Sequence, residues 1–127
     1  MADKTRILVV DDELSVLESF KMILSIKDYE VDTFEDGIQA LAGFEKGKYD
    51  VGFVDVYMPQ MNGLELLKVL KQKDPNIEVA VVTAYADEQS HATAINLNAL
   101  EYLRKPFLME EIYELVDRGL RKRASRN

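Results

Sequence analysis

Apolar residues come in five short runs, and each run is followed by a stretch in which apolar positions recur every three or four residues. Arg6–Val10 (RILVV) is the first, of strand length and closed by Asp11, Asp12 and Glu13. Over Leu14–Ile26, the residues Leu17, Phe20 and Leu24 mark one face of a helix that Asp12 is placed to cap. Glu30–Phe34 (EVDTF) alternates and is rich in β-formers; Asp36-Gly37 breaks it, and Ile38, Leu41 and Ala42 line a second helix that Gly43 and Gly47 weaken. Residues 51–54 form a third apolar run that ends at Asp55, with the loop formers Pro59, Asn62 and Gly63 close behind. Gly63–Lys73 presents Leu64, Leu67 and Leu70 on one face and stops at Asp74-Pro75-Asn76, where proline cannot continue the ladder. Residues 78–82 (EVAVV) are a fourth strand, closed by Thr83. Residues 87–96 predict a helix with little beyond Ala94 and Ile95 to bury, and so the least firmly held element. Glu101–Arg104 is a short fifth strand before Lys105-Pro106, after which Leu108, Ile112, Leu115, Val116 and Leu120 set the face of a last helix.

Five strands alternating with five helices predict an α/β fold in which helices cover both faces of a parallel sheet. Periodicity leaves the strand order open. A chain of 127 residues fits one domain, and 47% hydrophobic with 31% charged residues is a balance that supports a packed core. The expected folded core is about 5–122, followed by a short basic tail, 123–127. The absence of cysteine excludes thiolate metal sites and a cysteine nucleophile. No run reaches membrane-spanning length and Met1 to Arg6 lacks the core of a signal peptide, so a cytoplasmic protein without membrane contact is expected. A net charge of -7 disfavours direct DNA binding by the domain. Arg118, Arg121, Lys122, Arg123 and Arg126 run against that charge. They read as a solvated last turn whose cations suit the helix dipole, with a basic arm for a partner as the alternative.

The residues that close the apolar runs, Asp11, Asp12, Asp55, Thr83 and Lys105, all fall at carboxyl ends of predicted strands. Ligands of open parallel sheets bind outside those ends. Each has a plain alternative: Asp11, Asp12 and Thr83 as helix caps, Asp55 as a turn former, Lys105 as a surface lysine. Capping accounts for some of them and not for the lysine. Several carboxylates in one cleft stay ionised together only beside a cation, and oxygen ligands without histidine or cysteine suit magnesium. A carboxylate such as Asp55 can then attack phosphorus, with Lys105 neutralising charge and Thr83 donating a hydroxyl. His91, the single histidine, reads as an exposed side chain outside this chemistry.

In ILVVDDE, DVYMPQMNG, VVTAYA and EYLRKPF, which occur in this order and together span nearly the whole chain, the sequence resembles the receiver domains of two-component response regulators. The resemblance implies a flavodoxin-like, doubly wound three-layer sandwich with strand order 2-1-3-4-5. It implies Asp55 as phosphoacceptor, with magnesium, or manganese in its place, held by Asp12, Asp55 and the backbone carbonyl of Tyr57, and by Asp11 through water. Thr83 and Lys105 would grip the phosphoryl oxygens, Lys105-Pro106 would be a cis peptide, and Thr83 with Tyr102 would form the switch pair. It further implies a signalling switch rather than an enzyme, though one that catalyses its own phosphorylation and dephosphorylation. The donor would be a sensor histidine kinase or phosphotransfer protein. The output surface would be the fourth helix, fifth strand and fifth helix, used towards an effector protein, an effector domain absent from this sequence, or a second copy in a homodimer.

Three positions individualise the chain. Asn98 stands where the family usually has glycine, and asparagine tolerates the left-handed backbone of a helix end. Tyr57 and Tyr85, two residues after Asp55 and Thr83, are bulky beside the reacting group and are expected to slow hydrolysis. Only the basic tail follows the last helix, so no effector domain is expected within these residues. Two other classes fit less well. A haloacid dehalogenase-type phosphatase needs a second acid where Tyr57 stands, and a flavodoxin-like FMN-binding protein needs a Ser/Thr/Gly-rich loop where Asp11, Asp12 and Glu13 stand.

Overall fold

The computed structural model describes residues 4–125. Its elements are β1 (Arg6–Val10), α1 (Leu14–Ile26), β2 (Glu30–Phe34), α2 (Gly37–Gly43), β3 (Val51–Asp55), α3 (Gly63–Lys73), β4 (Glu78–Thr83), α4 (Glu88–Asn96), β5 (Glu101–Arg104) and α5 (Met109–Ser125). The five strands form one parallel sheet in the order β2-β1-β3-β4-β5. The alternating fold and the strand order implied by the resemblance are both present.

Side-chain alternation along the central strands divides the core in two. Ile7, Val9, Val51, Phe53, Ala80 and Val82 face α1 and α5, where Phe20 packs between Phe53 and Phe107. Leu8, Val10, Val54, Val79 and Val81 face the other way, against Leu66, Leu67 and Leu70 of α3 and Ala94 of α4. The strands buried on both faces are β1 after its exposed Arg6, β3 and β4, at or next to the centre of the sheet, while β2 at one edge is only half buried. That gradient explains why the central strands read as continuous apolar runs and β2 as an alternation. Among the described residues no helix is long and apolar enough to cross a membrane.

Four local expectations are corrected. Glu13, not Asp12, occupies the cap position of α1, and no side chain caps that helix, because Asp11 Oδ1 accepts from the Glu13 N–H at 2.9 Å and turns the chain one residue later. Helix α2 buries Gly37 and Ala40, leaving Ile38 and Ala42 exposed, since Met61 packs directly on Gly37 and sets the face. Ile95 is exposed because the inward line of α4 runs through Ser90 and Ala94. Leu108 is exposed because α5 begins after it, its N–H donating to Glu111 Oε1 at 2.7 Å, so the helical period does not reach back that far. Asn98 has φ 61, and the Ala99 N–H closes the end of α4 onto the Ala94 carbonyl, as the left-handed reading of asparagine requires.

The basic run is not a loose tail over its described length. Helix α5 continues through Ser125; Lys122 lies 3.5 Å from the buried Glu78, Arg123 pairs with Asp50 and donates to the Asn76 carbonyl, and Arg118 meets Glu101 at 2.7 Å. Arg126 and Asn127 lie outside the described residues.

Candidate functional site

The carboxyl ends of β1, β3, β4 and β5 bring Asp11, Asp12, Asp55, Thr83 and Lys105 to one rim of the sheet. Carboxylate oxygens of Asp11, Asp12 and Asp55 all lie within 4.8 Å of one another. Asp11 is 2% and Asp55 6% exposed, whereas Asp12 faces solvent. Lys105 Nζ stands 2.8 Å from Asp11 Oδ2, 3.4 Å from Glu13 Oε1 and 3.7 Å from Asp55 Oδ2. The Lys105–Pro106 peptide that precedes α5 is cis.

The loop after β3 is held by two close approaches. The Gly63 N–H donates to the Val56 carbonyl at 2.7 Å, and a Cβ on Gly63 would lie 2.0 Å from the Asp55 carbonyl oxygen. Only glycine lets α3 begin so near the acid. Asn62 then starts α3 with a capping box: its Oδ1 accepts from the Leu64 and Glu65 N–H groups, and Glu65 Oε1 accepts from the Asn62 N–H.

Charge at this rim is unbalanced. Burial pushes the Asp55 carboxyl up to about 7, the charge of Asp11 adds to that, and Lys105 and the Tyr57 N–H pull back. Burial also raises Asp11, against the opposing hydrogen bond from Lys105. For Lys105, burial acts to lower the ammonium, but Asp11, Asp55 and Glu13 outweigh it and the net direction is up. Three carboxylates beside one ammonium leave room, electrostatically, for a divalent cation. The donors are oxygens alone, so the set fits magnesium.

A cleft of about 220 Å³ opens over this cluster, lined by Asp12, Glu13, Asp55, Tyr57, Tyr85 and Lys105, with Ala84. Tyr57 and Tyr85 meet edge to face with ring centroids 6.2 Å apart. Thr83 is fully buried below it, its Oγ1 accepting from the Tyr85 N–H at 3.0 Å. Tyr102 is half buried on β5; its hydroxyl lies 2.5 Å from Ser90 Oγ and accepts from the Asp87 N–H at 3.1 Å, and His91 stacks on its ring at 4.7 Å. His91 is exposed and away from the acid cluster.

Two contacts were not legible in sequence. Glu13 reaches Lys105, and the Tyr57 hydroxyl donates to Asp87 Oδ2 at 2.5 Å across 30 positions of chain. Asp87 was recognisable only as the start of a helix, since a cap is a local signal and a partner from another loop is not.

A family model for the response regulator receiver domain matches residues 7–117. The chain is similar to the response regulator MprA of Mycobacterium sp. (strain KMS), 35% identical over 120 residues that make up 94% of this chain and 52% of that protein. It spans about half the length of the curated relatives it matches. Among solved structures it is similar to a CheY-like response regulator receiver domain protein from Methanospirillum hungatei JF-1, with TM-score 0.93 and 29% identity, covering 98% of this chain and 100% of that one. It is also similar to the BeF3-activated DrrB receiver domain, with TM-score 0.86 and 28% identity, covering 94% of this chain and 99% of that one.

Proposed function

Since the chain belongs to the response regulator receiver domain family, the signalling switches of two-component systems, we propose that Asp55 accepts a phosphoryl group from the phosphohistidine of a sensor histidine kinase or phosphotransfer protein. The observation that carries this reading is the acid cluster of Asp11, Asp12 and Asp55 with a single lysine against it. An Asp55 carboxylate oxygen attacks phosphorus, the phosphorus–nitrogen bond of the donor breaks, and the imidazole leaves with the electron pair. Asp12, Asp55 and the Tyr57 carbonyl would hold magnesium, with Asp11 reaching it through water, and the ion would supply the charge that keeps the acids ionised and draws electron density from the phosphoryl oxygens.

The chain's own residues do the rest. Lys105, already against Asp11 and near Asp55, turns its ammonium to the phosphoryl group. The Thr83 hydroxyl leaves the turn it makes with the Tyr85 N–H to donate there as well. Its displacement frees space beside β5 and biases Tyr102, whose hydroxyl is tied to Asp87 and Ser90 of the α4 start. The thin apolar face of α4, with Ser90 and Ala94 as its buried residues, makes that helix cheap to shift. The output face is then α4, β5 and α5, where Tyr102, Arg104, Glu110, Glu114 and Arg118 line a groove of about 720 Å³. A downstream effector, an effector domain or a second copy would bind there. BeF3 activation of the similar DrrB domain supports the same chemistry for this chain.

Incubation with acetyl phosphate and magnesium tests the assignment by intact mass. One added phosphate is expected, absent from Asp55→Asn; phosphate that survives that substitution overturns the assignment.

A further inference from the structure

Tyr57 stands between two openings. On one side is the cleft over Asp55; on the other a groove of about 400 Å³ between α3 and α4, lined by Tyr57, Asn62, Asp87, Gln89, Ser90 and Thr93, with Val56 and Leu64. Its ring is therefore a partition, and nearly half of it is exposed. Packing alone, an edge contact with a Tyr85 that is itself largely in solvent, does little to fix it. What fixes it is Asp87. One carboxylate oxygen, Oδ1, accepts from the Ser90 N–H at 2.7 Å and caps α4; the other, Oδ2, accepts from the Tyr57 hydroxyl. The two demands fall on different oxygens, so a carboxylate meets both.

We infer that Asp87 is a positioning residue for the phosphoacceptor cleft: it holds Tyr57 as the wall that keeps hydrolytic water from the aspartyl phosphate. The inference rests on the phosphoacceptor reading of Asp55. In hydrolysis a water oxygen attacks phosphorus, the bond to the Asp55 carboxyl oxygen breaks with its electron pair returning to the carboxylate, and inorganic phosphate leaves as the water's proton passes to solvent. A ring free to swing into the α3–α4 groove opens the approach for that water. Asp87 does not touch the reacting atoms; it acts through Tyr57.

Two substitutions separate this role from the helix cap. Tyr57→Phe keeps the ring and deletes its hydroxyl, while Asp87→Ser keeps one short oxygen that caps the helix and leaves no second polar atom to reach Tyr57. The chain is phosphorylated with acetyl phosphate and magnesium, the donor is removed, and decay of the phosphorylated mass is followed. Each single variant is expected to decay about three- to tenfold faster, the kinetic equivalent of one hydrogen bond. The double variant is expected to decay no faster than the faster single one, since both cut the same contact. A general loosening of α4 by Asp87→Ser would instead add to the effect of Tyr57→Phe. Additive effects, or single variants within about twofold of the parent, would overturn the inference and leave the receiver reading intact. Failure of the parent chain to take up phosphate would overturn both.

Discussion

Acids are buried at both ends of this sheet, and the two ends treat them in opposite ways. At the amino ends of the strands, Glu78 is fully buried with Lys122 at 3.5 Å and Lys71 at 3.9 Å, and Asp50 pairs with Arg123 and accepts from the Arg6 N–H. Lys71 and Lys122 face Glu78, Arg123 faces Asp50, and the buried Asp74 accepts from the Gly47 and Asn76 N–H groups. At the carboxyl ends, Asp11, Asp55 and Glu13 share Lys105, with Asp12 beside them adding a further negative charge. A buried acid matched inside the chain ties elements together; one left short of positive charge draws protons and cations more strongly.

The largest expected effect tests the under-matched end. Lys105→Ala should slow phosphate uptake from acetyl phosphate by about 100-fold, as loss of a positioned donor to a developing charge does. An uptake rate near that of the parent would mean that the lysine serves only to offset Asp11.

The pH dependence of stability separates the ends next. An acid raised to about 7 in the fold, from about 4 unfolded, contributes stability that is complete below about pH 4 and is lost as pH rises through 7. Without magnesium the chain should therefore lose up to ~3 kcal/mol from this group between pH 5 and 8. Asp55→Asn should flatten that slope in denaturant titrations at the two pH values. An unchanged slope would remove Asp55 as its source.

At the matched end, Lys122→Ala should lower unfolding free energy by about 2 kcal/mol, less than a fully broken buried pair because Lys71 remains near Glu78. Phosphate uptake should hardly change. A large loss of uptake with little loss of stability would reverse the comparison. The smallest effect is that of the cation: magnesium at about tenfold over its dissociation constant should stabilise the chain by ~1.4 kcal/mol, and much less after Asp12→Asn. Equal stabilisation of parent and variant in thermal melts would place the ion elsewhere.

Much of this was legible along the chain. Strands and helices begin and end within a residue or two of their predicted positions, apart from α5, which runs three residues past the expected end of the core, because apolar runs and turn residues are local signals. The acid cluster was also legible, since each member closes a strand and a parallel sheet delivers every such residue to one rim. Helix faces were read less well. Leu66 is fully buried although Leu64 was chosen for that face, and Ile38, Ile95 and Leu108 are exposed. On short helices a period of 3.6 admits neighbouring stripes, and the packing partner selects one.

The sequence by itself thus determined the order of elements, the two-sided burial of β1, β3 and β4, and the set of acids at one edge, because these depend on period and position alone. Only the tertiary structure decided which charges meet. It took the basic residues of α5 to Glu78 and Asp50, and it joined Tyr57 to Asp87. Those pairs link residues 30 or more positions apart, and their distances follow from how strands and helices stack, a quantity that no local pattern encodes.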